Sequence, residues 1–261
     1  MGLNHPEREV RLLLSFIQKR SYEEVFLAPE VTVDDYQALE PLVKRRLQGE
    51  PLSKIMEERE FWGLRFKISH DTLDPRPDSE TAIEAVLHHF PERHQPLRLV
   101  DLGVGSGCLL LSLLSEYPRA FGVGIDKSLP ALKMAQQNAS RLGFTSRTTF
   151  LNSHWAESLQ GMFDVLISNP PYIAENEVLD ISVTDYDPAL ALYGGQDGLQ
   201  AYRELLPQVP FHMHQKSQLF LEIGKGQEAA VRQIAQGCGL RFLASYQDLG
   251  GIERVLVFQR G

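Results

Sequence analysis

From residue 97 onward, short and almost continuously apolar runs alternate with stretches of helical periodicity. The runs cover 97–102, 120–125, 163–168 and 219–223; the helical stretches cover 109–115, 129–142, 199–206 and 227–236. Continuous apolarity suits strands covered on both faces, and strand–helix alternation builds right-handed βαβ units. The pattern therefore predicts an α/β fold with a doubly wound, mostly parallel sheet. Segment 148–151 adds a further strand. Two last runs, 240–246 and 254–258, are joined by Gln247-Asp248-Leu249-Gly250-Gly251, which predicts an antiparallel hairpin closing one sheet edge.

The first fifty residues read differently. Val10, Leu13, Leu14 and Ile17 fall at i, i+3, i+4 and i+7, and Tyr36, Leu39, Val43 and Leu47 repeat that stripe. Thr32-Val33-Asp34-Asp35 reads as a helix start, and Gly49 with Pro51 as its stop. Lys44-Arg45-Arg46 reads as a solvated helix face. A small helical domain over residues 1–57 is expected. Trp62, Leu64, Phe66 and Ile68 then alternate with polar neighbours, and Asp74-Pro75-Arg76-Pro77-Asp78-Ser79-Glu80 forces an extended stretch that opens a helix. Residues 58–80 are thus read as a hairpin linker, and 81–261 as the second domain, which holds the alternating pattern.

Charged residues at 23% and hydrophobic residues at 43% exclude disorder. Lys and Arg total 26 against 34 Asp and Glu, a net charge of −8, which argues against nucleic-acid phosphates or anionic membranes as the main partner. Two distant cysteines, Cys108 and Cys238, build no disulfide framework, and the apolar stretch 12–17 is too short for a signal peptide or a span. The start lacks the Ser or Thr that myristoylation needs at position 6. A soluble, cytoplasmic protein is expected.

The first apolar run leads into Asp101-Leu102-Gly103-Val104-Gly105-Ser106-Gly107 and then a helix. Glycines allow a tight turn and close approach to a ligand, and the helix start behind them offers free N–H groups. The second run ends at Asp126, near the separation of about 20 residues expected of an acid that binds ribose hydroxyls. Gly103, Val104, Gly105, Ser106, Gly107 and Asp126 are therefore candidate cofactor contacts. A dinucleotide and S-adenosylmethionine both fit. The dinucleotide fingerprint needs glycine at 108, where the chain has Cys108, read here as a small buried packing residue. Trp155, just past the third sheet segment, stands where an aromatic ring could flank an adenine or fill the core.

The third run stops abruptly at Asn169-Pro170-Pro171-Tyr172. Two prolines donate nothing to a ladder and hold the chain extended outside the carboxyl end of the strand, where open α/β sheets bind ligands. The Asn169 side-chain oxygen and the Pro170 carbonyl can each accept one N–H of a planar NH₂ group, with Tyr172 against its plane. Adenine N6, guanine N2 and a glutamine amide all present such a group. Each is a poor nucleophile, and acceptors that fix its hydrogens favour methyl transfer by orientation and electrostatics. His212 and His214 have no further ligand cluster and read as solvated or core residues, so no metal is expected.

These residues resemble the HemK/PrmC family of release factor glutamine N5-methyltransferases. The landmarks run from Gly49-Glu50-Pro51-Leu52 through Glu60-Phe61-Trp62-Gly63-Leu64, Pro75–Glu80, Asp101–Gly107, Asp126, Asn169–Tyr172, Asp187-Pro188 and Gly194–Leu199 to Leu221-Glu222-Ile223-Gly224. Asn-Pro-Pro-Tyr alone is shared with DNA adenine methyltransferases, whereas its combination with Pro-Arg-Pro-Asp-Ser-Glu is more specific. The resemblance implies a class I, seven-stranded methyltransferase sheet and transfer from S-adenosylmethionine, leaving S-adenosylhomocysteine, to the glutamine of the Gly-Gly-Gln motif in peptide chain release factors. It implies that Gly103–Gly107, Asp126, Trp155 and Asn169 hold the cofactor, that Asn169, Pro170, Pro171 and Tyr172 bind the glutamine, and that Arg76 and Glu80 shape the pocket. A monomer that touches neither nucleic acid nor membrane is expected. Rival readings are a ribosomal-protein glutamine methyltransferase and an N6-adenine or N2-guanine nucleic-acid enzyme. Lys54, Glu57 and Asp74 depart from the Tyr, Gly and Ile common in relatives, and Gln215-Lys216-Ser217 replaces a Pro-Gly-Gly turn.

Overall fold

The computed structural model describes residues 5–179 and 181–261. The first four residues, where the expected helical domain and the reading of the start both begin, lie outside that set, as does residue 180. Two compact units are present: the described part of Met1–Glu58 with Leu179–Tyr186, and Arg59–Val178 with Asp187–Gly261.

The first unit holds α1 (Pro6–Gln18), α2 (Tyr22–Leu27), α3 (Val33–Leu47) and α4 (Leu52–Met56). Ser21 with Glu24 and Thr32 with Asp35 form reciprocal capping boxes, so each side chain satisfies an otherwise orphaned N–H at a helix start. Leu13 and Leu14 of α1 are buried. The stripe expected on α3 is not: no residue of that helix is fully buried, and Tyr36 and Leu47 are 62% and 67% exposed. Periodicity locates an apolar face but says nothing about whether a neighbour covers all of it. The supposed solvated basic face is also largely engaged. Arg45 makes a paired hydrogen bond to the Glu50 carboxylate and Arg46 another to Glu9.

In the second unit β1 (Glu58–Phe61) and β2 (Leu64–Lys67) form a two-stranded hairpin. Trp62 sits in the turn of this hairpin with φ of 51°, and its indole donates to Glu116 at 2.8 Å. A turn Pro77–Ser79 then leads into α5 (Glu80–His89). The main sheet follows in chain order as β3 (Arg98–Leu102), α6 (Cys108–Glu116), β4 (Phe121–Asp126), α7 (Leu129–Arg141), β5 (Thr148–Asn152) and β6 (Phe163–Ser168). Past it lie α8 (Ile181–Thr184) of the first unit, then α9 (Ala189–Leu192), α10 (Gln200–Leu205), β7 (Met213–Glu222), α11 (Glu228–Gly237), β8 (Leu240–Gln247) and β9 (Glu253–Arg260).

Seven strands pair in the order β5-β4-β3-β6-β7-β9-β8, and only the pairings of β9 are antiparallel. Leu99, Val165 and Ile167 point to one core with Ile83, Leu110 and Leu113, while Val100, Leu102 and Leu166 point to a second with Tyr202, Leu205 and Val231. Two covered faces explain why the strands read as continuous apolar runs. The direction of winding reverses between β3 and β6, so the crevice beyond their carboxyl ends is the ligand position for such a sheet. Among the described residues no helix is long and apolar enough to cross a membrane.

Candidate active site

A cleft of about 180 Å³, partly open to solvent, lies beyond the carboxyl ends of β3, β4 and β6. It is lined by the turn after β3, the end of β4, Trp155, Asn169 and the Pro75–Arg76 stretch.

The turn after β3 is shaped by its glycines. Gly103, Gly105 and Gly107 all have positive φ, 88°, 53° and 86°, so each alternate residue takes a left-handed conformation that a side chain would strain. Gly103 and Val104 both donate to the Ile125 carbonyl at 2.8 Å, tying the turn to β4. Asp126, the last residue of β4, accepts the Gly105 N–H at 2.9 Å and the Ser128 N–H at 2.8 Å. Burial pushes its carboxyl pKa up, against the pull of those N–H donors. Gly103, Val104, Gly105, Ser106 and Asp126 line the cleft, whereas Gly107 sits behind it at the start of α6, where a Cβ would meet Leu111 at 3.1 Å.

Asp101, at the floor of the cleft, is 1% exposed, and burial reinforced by the Asp126 charge raises its pKa to about 8. Cys108 also lines the cleft, with its thiol pushed up to about 12, mainly by burial; it is no nucleophile. Trp155 lies against the turn, its ring 3.6 Å from where a Cβ on Gly103 would stand, and its indole donates to Glu204 at 3.3 Å.

Asn169 follows directly on β6 and faces the cleft, as does Pro171. The Asn169 Nδ2 donates to Ser79 Oγ at 3.1 Å, while its Oδ1 and the Pro170 carbonyl accept from no group among the described residues. Pro170 itself is buried. Tyr172 does not line the cleft. Its ring packs on the second core and its hydroxyl donates to Glu222 at 3.3 Å, with its pKa raised chiefly by burial. The corner is braced from behind: Gln227 donates to the Tyr172 carbonyl at 2.9 Å, and a Cβ on Gly194 would meet the Pro171 carbonyl at 2.5 Å. The glycines of Gly194–Leu199 are there because two backbones touch.

Arg76 lines the cleft and donates to Asp187 at 2.7 Å; the other Asp187 oxygen accepts the Asp74 N–H at 3.0 Å. Glu80, expected beside the pocket, instead accepts the Trp62 N–H at 2.8 Å and anchors the hairpin turn. His212 and His214 contact the Gly161 carbonyl and Asp164. Four contributors stood out less in the sequence. Ser79, Asp187 and Glu222 appeared only inside longer motifs, with no role of their own. Asn138, fully buried on α7, bonds both backbone groups of Lys67 and the Ser106 carbonyl; a single Asn in an amphipathic helix carries no such signal.

Residues 1–56 match the family model described as PrmC N-terminal domain, and 69–185 the one described as Methyltransferase small domain. A release factor glutamine methyltransferase of Rhodospirillum rubrum is 41% identical, covering 99% of this chain and 80% of that protein. The enzyme of the same name from Agrobacterium fabrum is 38% identical over 99% of this chain and 92% of its own length. A solved methyltransferase from Pyrococcus furiosus, 16% identical, superposes with a TM-score of 0.57 over 85% of this chain and 99% of that one, which speaks for the fold. With both family models in place and near-full-length relatives sharing about two residues in five, the chain belongs to the release factor glutamine methyltransferase family.

Proposed function

We propose that this protein transfers a methyl group from S-adenosylmethionine to the side-chain N5 of the glutamine in the Gly-Gly-Gln motif of peptide chain release factors. The observation that carries the reading is the position of Asn169: it lines the same cleft as the glycine turn and Asp126, and its side-chain oxygen accepts no hydrogen bond among the described residues. The names of the near-full-length relatives support the substrate.

The residues present suit the cofactor. A carboxylate at the end of β4 offers lone pairs toward a pair of ribose hydroxyls, the glycine turn allows close backbone approach, and Trp155 offers an aromatic face beside it. When bound, the sulfonium supplies an already activated methyl group. Asn169 Oδ1 and the Pro170 carbonyl then accept the two hydrogens of the substrate amide, fixing the nitrogen lone pair toward the methyl carbon and favouring positive charge as it develops. Pro171 borders the glutamine, and Tyr172 holds the corner from behind through Glu222. As the C–N bond forms, the carbon–sulfur bond would break with its electron pair left on sulfur, and the methylated nitrogen would then give its proton to solvent water, so a strong base is not required.

In this reading residues 1–57 recognise the release factor, 58–80 link, and 81–261 catalyse. The enzyme works as a monomer in the cytoplasm, where release factors act, and its charge of −8 favours a protein partner over nucleic acid. Incubation with a release factor and S-adenosylmethionine, followed by mass mapping, tests it. The Gly-Gly-Gln peptide gains one methyl group; an unmodified peptide overturns the substrate assignment.

A further inference from the structure

A carboxamide has an accepting end and a donating end, and only one serves here. If Asn169 turned its NH₂ toward the cleft, it would meet the NH₂ of the incoming glutamine donor to donor. The Asn169 side chain alone has no means of choosing, since the two ends have nearly the same shape.

Ser79 supplies the choice. It is 2% exposed and stands at the start of α5, yet its side chain caps no helix N–H, the usual reason for a serine at that place. It accepts the Asn169 Nδ2–H at 3.1 Å instead. Beside it lies the carboxyl of Glu222, the last residue of β7 and 1% exposed. The Tyr172 hydroxyl donates to Glu222 Oε1 at 3.3 Å, and Oε2 is buried with no hydrogen-bond partner among the described residues. Of the influences that hold the pKa of this carboxyl down the Ser79 side chain is the largest, so the hydroxyl stands beside a buried acceptor that is otherwise unsatisfied. A hydroxyl has one proton to give. An ionised carboxylate only accepts, so it draws that proton, and Ser79 Oγ is left able only to accept from Asn169.

We propose that Ser79, backed by the buried Glu222 carboxylate, is a positioning residue that holds the Asn169 carboxamide with its oxygen toward the substrate amide. The inference rests on the reading of Asn169 as acceptor for the glutamine and assigns the residues that make it one.

Protonation of Glu222 undoes the arrangement. The carboxylic acid can then donate to Ser79, whose own proton becomes free to turn toward Asn169 and flip its amide. The groups facing Glu222 are Ser79 and Asp78 from the turn before α5, Tyr172 from the corner, Arg254 from β9, Tyr202 from α10 and Cys108 from α6. Burial outweighs the lowering effects of Ser79, Arg254 and Tyr172 and raises the Glu222 pKa to about 7. Turnover should therefore fall as pH drops through that region.

The test is steady-state methylation of a release factor by wild type, Ser79→Ala, Ser79→Thr and Glu222→Gln, each checked for folding by circular dichroism and for S-adenosylmethionine affinity by calorimetry. Ser79→Ala lowers kcat about tenfold or more, with KM for the release factor and cofactor affinity within about twofold. Ser79→Thr, which keeps the hydroxyl, recovers to within about threefold of wild type. The acid limb of the wild-type kcat profile near pH 7 is missing in Glu222→Gln. A folded Ser79→Ala variant as active as wild type, a Ser79→Thr variant as slow as Ser79→Ala, or an acid limb that persists in Glu222→Gln overturns the inference. A wild-type protein that leaves the release factor unmodified overturns the functional reading itself, which separates the two failures.

Discussion

Asp126 bonds to Gly105: one carboxylate oxygen accepts the Gly105 N–H at 2.9 Å while the other accepts the Ser128 N–H at 2.8 Å. The acid at the end of β4 therefore holds the glycine turn in shape as well as facing the cleft. Replacement by alanine leaves two N–H groups unpaired and, in the proposed reading, removes a ligand for the ribose. Asp126→Ala should weaken S-adenosylmethionine binding by more than about tenfold and cost about 1–3 kcal/mol of stability. Calorimetry and urea denaturation measure the two effects; an unchanged affinity removes the ribose assignment.

Asn169 separates substrate from cofactor. In the proposed reading its oxygen serves the substrate amide, and its nitrogen is held by Ser79 rather than by any part of the glycine turn. Asn169→Ala should lower kcat by about 10²–10³, the loss typical of one preorganised hydrogen-bonding group, with cofactor affinity nearly unchanged. Loss of cofactor binding in that variant contradicts the role.

Asp101 sets a pH dependence of stability. Its pKa is 3.8 when unfolded and about 8 when buried. Between those values the folded state binds a proton that the unfolded state has released, so stability falls as pH rises from about 4 to about 8. Asp101→Asn cannot ionise, and its thermal midpoint without ligand should decline less over that window. Parallel midpoint curves for the variant and wild type count against a buried neutral acid.

Gly198 has φ of 72°, and a Cβ there would run into the Tyr172 carbonyl and reach Gln227 Nε2 at 2.8 Å. Gly198→Ala should cost more than the roughly 1–2 kcal/mol of left-handed strain and displace the proline corner, reducing turnover. Gly143→Ala, also left-handed but with open space around it, provides the comparison: strain with turnover intact. Equal activity in the two variants would show that the Gly198 contact does not position the corner.

The strand–helix alternation of residues 97–236 was legible because strands covered on both faces show it directly, as were the glycine turn, whose residue types are demanded by local backbone geometry, and Asn169, set off by the two prolines that end its strand. The stripe Tyr36–Leu47 misled because half of an apolar face can remain exposed. Tyr172 and Glu80 sit within the right motifs yet turn away from the cleft, to Glu222 and the Trp62 N–H. Residue type and spacing do not tell which of two buried partners a side chain will choose.

By itself the sequence determined the layered α/β architecture, the carboxyl end of the sheet as the place of chemistry, and an Asn-Pro-Pro-Tyr corner able to accept a carboxamide, since all three follow from periodicity and from what glycine and proline permit. Only the tertiary structure decided what holds the Asn169 amide, whose nitrogen donates to Ser79 at 3.1 Å. Ser79 and Glu222 stand 90 residues before it and 53 after it, and a hydrogen bond's direction is set by the partners that folding brings within 3 Å, not by neighbours along the chain.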